Sequence, residues 1–162
     1  MVEFVVAFFL SLPTGSLVEW LIHYAMHKTR LLRRTWLGRM HTGHHLLGVG
    51  QGWLREFRDY CGVGAVFALP VFALAWMLGA LDFGIGWCVG TTLYAAMAAY
   101  CHQLSHDRPG LLWHSVHHDT ADHNFGLTTP LWDWAFRTYR PTPASADRES
   151  FSLSDLLKIR WL

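Results

Sequence analysis

Charge is scarce in this chain. Lys, Arg, Asp and Glu make up 15% of its 162 residues, against 52% hydrophobic residues, a more apolar balance than an average soluble domain has. The formal net charge is only +1, so no global basic surface points to a nucleic-acid partner. Cysteine is sparse too. Cys61, Cys88 and Cys101 form no CxxC pair and no zinc-ribbon spacing, which argues against a disulfide framework and against a thiolate metal site. A secretory leader is not evident. Glu3 stands where a basic n-region is expected, and no small-x-small cleavage site precedes the first histidine, so the opening segment reads as a retained membrane helix.

What is present is long apolar runs. Residues 61–81 and 83–101 are each close to the roughly 20 apolar residues that span a bilayer core. Only a turn around Gly79–Gly84 separates them, so they form a hairpin. Residues 4–26 are a third candidate span, with a kink or break expected at Pro13-Thr14-Gly15-Ser16. Glu19 and His23 in its second half must face the bundle interior or the interface. All Lys and Arg fall at 28–58 or 108–160, which places those segments in the cytoplasm and the N-terminus and hairpin turn opposite. The basic, aromatic stretch 28–60 predicts one or two interfacial helices, the second around Trp53–Tyr60. Residues 141–150 read as a loop, and 152–162 as a short amphipathic tail capped by Ser152 or Ser154.

Histidine is the one abundant polar type, with 11 copies. Ten fall into a repeated order: His23 and His27 as HxxxH, then His41, His44 and His45 as HxxHH, then His102 and His106 as HxxxH, then His114, His117 and His118 as HxxHH. Residues three and four apart share a helix face, so each motif aims its imidazoles one way. Ten convergent ligands suit two metal ions of five or six bonds each, and imidazole suits Fe, Zn, Cu or Ni. The topology drawn from charge and hydropathy alone puts all four motifs on one side of the membrane. A structural zinc site would use four ligands, usually with thiolates. A haem pair would need facing ligands at membrane depth and has no use for HxxHH. A metal transporter would need polar ligands at the midplane of a span.

The expected fold is therefore all-α: a single domain, residues 1–162, forming an integral membrane bundle of about three spans, the first kinked or broken, with a cytoplasmic helical cap that carries a histidine-rich dimetal site.

The motif set resembles the fatty acid hydroxylase superfamily, which includes sterol desaturases, carotenoid hydroxylases and fatty acid 2-hydroxylases. The resemblance runs from Glu19-Trp-Leu-Ile-His23 to about Thr142. It includes Asn124-Phe125-Gly126, Leu131-Trp132-Asp133 and Phe136. The first histidine pair has three intervening residues where fatty acid 2-hydroxylases have four, and a fused cytochrome b5 domain, which many eukaryotic members carry, is not expected from these residues. The resemblance implies a non-haem dimetal centre held by His23, His27, His41, His44, His45, His102, His106, His114, His117 and His118. It implies two irons in the working enzyme (zinc can take their place in purified protein), O2, and an external electron donor such as a ferredoxin- or cytochrome b5-like protein. The substrate it implies is a membrane lipid: fatty acyl, sphingolipid-like, sterol or carotenoid. Hydroxylation is the leading reaction. Desaturation on the same centre, or a non-enzymatic metal-binding or transport role, are the alternatives.

Further roles are expected nearby. His123 is a candidate ligand or hydrogen-bonding neighbour of one. Ligating imidazoles usually donate their other N–H to a carboxylate or carbonyl. Glu19 is the leading carboxylate for that role, ahead of Asp107, Asp119, Asp122 and Asp133. Asn124 is placed to orient a water. Trp53, Trp113, Phe125 and Trp132 are candidate walls of a substrate groove. Gly48, Gly50 and Gly52 around Gln51 suggest a loop that could gate lipid entry.

Overall fold

A computed structural model describes residues 1–47, 51–108 and 113–141. Among them the chain is helical throughout, with no strand. In chain order the helices are α1 (Val2–Lys28), α2 (Arg30–Arg34), α3 (Trp36–Leu47), α4 (Trp53–Met77), α5 (Leu81–Asp107), α6 (Ser115–Asp119) and α7 (Leu131–Ala135). Gly48, Gly50, most of the expected 141–150 loop and the expected tail helix lie outside the described residues.

Three long helices form the frame. α1 and α4 both pack along α5 and make little contact with each other. The sequence of α5 explains its central place. Its buried positions include Gly84, Gly86, Gly90, Ala95, Ala98 and Ala99, small residues that let backbones approach closely. A Cβ at Gly86 would overlap the backbone of Phe4, and one at Gly90 would lie 2.7 Å from the Phe8 carbonyl oxygen. Gly86 and Gly90 thus seat α1. Gly84 faces α4, where a Cβ would meet Phe72 and Ala75. Gly86→Val is expected to destabilise the bundle by about 1–3 kcal/mol, the usual cost of overpacking. Thermal melting in detergent reads this directly, and an unchanged midpoint would contradict the close approach.

The packing reverses the order found in soluble proteins. Ala7, Ser11 and Ser16 are buried on α1, while Val5, Val6, Phe9 and Leu10 are exposed. On α4, Val66, Phe67, Leu69, Leu74 and Trp76 point outward, and on α5 so do Ile85, Val89, Leu93 and Met97. Such a continuous apolar surface is a liability in water and the proper face toward lipid. α1 and α4 are long and apolar enough to cross a membrane. α5 is as long as α1 at 27 residues, but its Gly- and Thr-bearing sequence is less apolar, in keeping with its shelter between the other two.

Three boundaries differ from the sequence expectation. α1 runs unbroken through Pro13. Nearby hydroxyls bond back to the helix, Ser11 Oγ to Phe8 O at 2.7 Å and Thr14 Oγ1 to Leu10 O at 2.8 Å, and packed neighbours allow an apolar helix to keep an internal proline. The expected interfacial helix at 53–60 is not separate but forms the first turns of α4. Its register is continuous with the apolar run, with Trp53 stacked on Phe57 at 5.2 Å and Glu56 buried inside the bundle. The hairpin turn is shorter than the expected Gly79–Gly84: it occupies Leu78–Ala80, with Gly79 at φ +73°, and Leu81–Gly84 already belong to α5.

Candidate metal centre

The repeated motifs converge at one end of the bundle, where α1 and α5 finish and α4 begins. The ligand nitrogens of His23, His27, His41, His45 and His117 all lie within 4.8 Å of one another, and so do those of His44, His102, His106 and His118. His114 stands between the two groups, its ring 5.2 Å from that of His23 and 5.4 Å from that of His102. Helical spacing explains the partition. The i,i+4 pair of α1 serves the first group and the i,i+4 pair of α5 serves the second. In α3, His41 and His45 share one face and His44 the next, so this HxxHH motif feeds both groups. The second HxxHH motif does the same through His117 and His118.

Four of these imidazoles are oriented by an acceptor behind them. His23 Nδ1–H donates to Phe125 O at 2.6 Å, His114 Nδ1–H to Asn124 O at 3.0 Å, and His117 Nδ1–H to His123 O at 2.7 Å. His102 Nδ1–H donates to Glu56 Oε2 at 2.7 Å. A carbonyl can only accept, so the tautomer is set and each Nε2 presents a bare lone pair inward. Nε2 of His23 and of His114 are buried with no hydrogen-bond partner. Elsewhere Nε2 atoms face one another: His27 and His41 at 2.6 Å, His41 and His45 at 3.1 Å, His27 and His117 at 3.0 Å, His44 and His106 at 2.9 Å. Two nitrogens bound to one ion at about 2.0–2.1 Å lie roughly 3 Å apart, so this donor set fits a pair of cations. Burial, followed by repulsion among neighbouring imidazoles, holds His41, His114, His117 and His118 far below the usual histidine range and His45 down at about 4. At neutral pH these rings are uncharged and free to donate electron pairs.

The three carbonyls behind His23, His114 and His117 are consecutive residues of one loop, and that loop is held by Asp133. Fully buried, Asp133 accepts from Phe125 N–H at 2.9 Å, Trp20 Nε1 at 3.0 Å and Thr138 Oγ1 at 2.6 Å through Oδ1, and from Gly126 N–H at 2.9 Å through Oδ2. Asn124 locks the other side. It adopts a positive φ of 55°, which Asn tolerates better than most residues. Its Nδ2 donates to Trp113 O and Arg140 O, both at 2.8 Å, and its Oδ1 accepts from Arg140 N–H at 2.7 Å. The role expected for Asn124, orienting a water, is replaced by this structural one.

The other expected neighbours are engaged elsewhere. Glu19 Oε1 lies 3.9 Å from His23 Nδ1, but the imidazole takes the Phe125 carbonyl instead. Glu19 Oε2 accepts from Tyr94 OH at 2.9 Å and Leu127 N–H at 3.2 Å. Asp122 is exposed and pairs with Lys28 at 2.6 Å. Asp119 is exposed, and Asp107 accepts from Gln103 at 3.1 Å. The His123 ring belongs to neither histidine group; the residue contributes its carbonyl. Glu56 was not anticipated. Its signal was that of one of two acids, with Asp59, just ahead of an apolar run, a pattern that equally describes surface residues.

A cavity of about 160 Å³ leads from His23, His41, His44 and His102 along α1 to Ser11, between α1 and α4 and over α5. Trp53, Trp113, Phe125 and Trp132 do not line it, contrary to expectation. Phe125 packs against the rings of His23, His27 and His117, and Trp53, Trp113 and Trp132 donate to Ala96 O, Gly126 O and Ser16 Oγ. Their amphipathic rings tie segments together. Gln51 does border the cavity, and Gly52, at φ +90°, donates its N–H to Gln103 Oε1 at 3.0 Å.

The model of the fatty acid hydroxylase family matches residues 7–138. No curated protein and no solved structure gives a significant match.

Proposed function

The chain belongs to the fatty acid hydroxylase family, and from that premise we propose that it is a membrane di-iron oxygenase that inserts oxygen into an unactivated C–H bond of a lipid. One observation carries the reading. Two groups of inward-facing imidazole nitrogens close the end of an apolar slot bounded by three long helices. His23, His27, His41, His45 and His117 would hold one ion, and His44, His102, His106 and His118 the other, with His114 available to either. Iron at these positions would supply the activation of O2 and the attack on carbon, with electrons from an external ferredoxin- or cytochrome b5-like donor. The protein's own part is positional. The 123–125 carbonyls and Glu56 aim the imidazoles, and the slot lays a lipid chain along α1 with one carbon at the histidine end.

In this reading α5 crosses the bilayer with α1 and α4, and the histidine end faces the cytoplasm. Support comes from the placement of every Lys and Arg at 28–58 or 108–160, with none near the hairpin turn. The slot lies between α1 and α4, which do not close on each other, so a lipid can enter it sideways from the bilayer. The chemical class of the lipid is fatty acyl, sphingolipid-like, sterol or carotenoid. Desaturation would begin with the same attack, and substrate placement to within about an ångström separates the two outcomes.

The test uses the purified chain in lipid nanodiscs. We expect two irons per chain and O2- and reductant-dependent gain of one oxygen atom by an added lipid, read by mass spectrometry. Loss of two hydrogens instead would assign desaturation. Metal flux across liposomes with no lipid turnover would overturn the oxygenase reading in favour of transport.

A further inference from the structure

The slot is polar toward the histidines and apolar at its far end. Among the described residues, three carboxyls border it, those of Glu19, Glu56 and Asp59, and all lie in the histidine half. Tyr60, next to Asp59, adds its hydroxyl to that half. In the far half the bordering hydroxyls are spent on carbonyls of their own helices: Ser11 on Phe8 O, Thr14 on Leu10 O and Thr91 on Trp87 O. Phe67 and Trp87 are the large side chains there. A polar group left unpaired among apolar side chains is costly. A lipid laid along this gradient therefore keeps its polar end near the histidines and sends its hydrocarbon tail toward Trp87.

The far end is closed. Along the slot α5 presents Ala95 and Thr91, both small, and then Trp87. One turn beyond, at Gly84, the same face of α5 is in close contact with α4. A Cβ there would stand 3.0 Å from the Phe72 ring and 3.2 Å from Ala75. On the other side α1 closes on α5, with Phe8 against Gly90 and Phe4 against Gly86. The slot thus has a floor at Trp87. From Ser11 to His23 it follows α1 for about 18 Å at 1.5 Å per residue. That is slightly more than one leaflet of a hydrocarbon core roughly 30 Å thick.

From this we infer that Trp87 is a specificity-determining residue, the floor against which a single hydrocarbon tail ends, and that it sets the longest tail the slot accepts. The substrate it fits is a lipid whose linear tail reaches about the depth of one leaflet. The carbon presented to the histidines then lies toward the lipid's polar end. The inference rests on the slot being the lipid site proposed above. Trp87 has no part in the chemistry, standing about 22 Å along α5 from His102. In a bilayer a methylene gains nothing by leaving lipid tails for an apolar wall, so length acts only through fit. A tail that overruns the floor must overpack, at a cost that corresponds to roughly 5- to 150-fold in affinity.

The experiment measures binding to the full-length, metal-loaded chain in nanodiscs. Saturated fatty acids graded in length compete with a fluorescent fatty-acid probe. In the wild-type chain we expect affinity to drop by at least about fivefold beyond one limiting length. In Trp87→Ala that limit should move longer by about two carbons or more, because an indole covers the area of several methylenes. Trp87→Leu serves the same comparison if the Ala variant does not insert. Leu93→Ala is the control: Leu93 lies on α5 but faces outward, 43% exposed, and its removal should leave the limit in place. A limit that stays put in the Trp87 variants, or moves equally in Leu93→Ala, overturns the inference alone. So does a wild-type profile with no upper limit, which would mean that long tails leave through the gap between α1 and α4. Failure of the probe and of every fatty acid to bind overturns the lipid reading with it.

Discussion

His117→Ala should leave the chain with one tightly held metal ion in place of two and lower oxygenase turnover by more than about 100-fold. His117 is central to the first histidine group, with Nε2 3.0 Å from that of His27 and 3.2 Å from that of His45, and its ring is fully buried. Losing a hydrogen-bonding partner behind a ligand typically costs 10–100-fold in metal affinity or activity, so losing a ligand should exceed that range. His123→Ala is the matched control. It removes the eleventh imidazole but keeps the backbone carbonyl that orients His117, and it should retain both ions. Elemental analysis per chain and lipid mass spectrometry read the pair. Two ions and undiminished turnover in His117→Ala would remove this residue from the ligand set, and loss of an ion in His123→Ala would add that one.

Asp133→Ala should destabilise the protein by at least about 3 kcal/mol and weaken metal binding at both groups, although no atom of Asp133 is offered to a metal in this arrangement. Four donors converge on its carboxylate. Each buried donor left unpaired costs roughly 1–3 kcal/mol, and bonds to a charged acceptor lie at the stronger end. The effect on metal comes from geometry. Asp133 fixes the N–H groups of Phe125 and Gly126, and the same loop supplies the acceptors for His23, His114 and His117. Once the loop relaxes, three rings lose their aim together. His114 stands between the two groups, so the loss is not confined to the first. Denaturation in detergent and a competitive metal titration read the two effects separately. A variant with native stability and full metal affinity would show that the loop holds its shape without Asp133.

His117 and Asp133 stand on opposite sides of a division between local and distant information. Spacing along the chain set out the histidine motifs, because three- and four-residue intervals in a helix define a face whatever surrounds it. Charge distribution set their common side, because lysine and arginine strongly resist placement in hydrocarbon. Apolar run length set the long helices, apart from the start of α4. There the 53–60 segment reads as interfacial by composition but is helical in register with the apolar run after it.

Other features depended on contacts between residues far apart in the chain. The division of each HxxHH motif between two groups arises where four helices meet. The acceptors behind His23, His114 and His117 are backbone carbonyls, which every residue carries and no sequence pattern distinguishes. Glu56 meets His102 across 46 positions, and Trp20 meets Asp133 across 113. Glu19, the obvious carboxylate by helical spacing, lost His23 to a carbonyl that the tertiary fold brought closer. The sequence by itself determined which side chains carry the chemistry and at which end of the bundle they gather, because helix periodicity and the cost of burying charge act locally. Only the tertiary structure decided what orients those side chains and where the slot runs, because hydrogen-bond partners and empty space between helices exist only after the helices have packed.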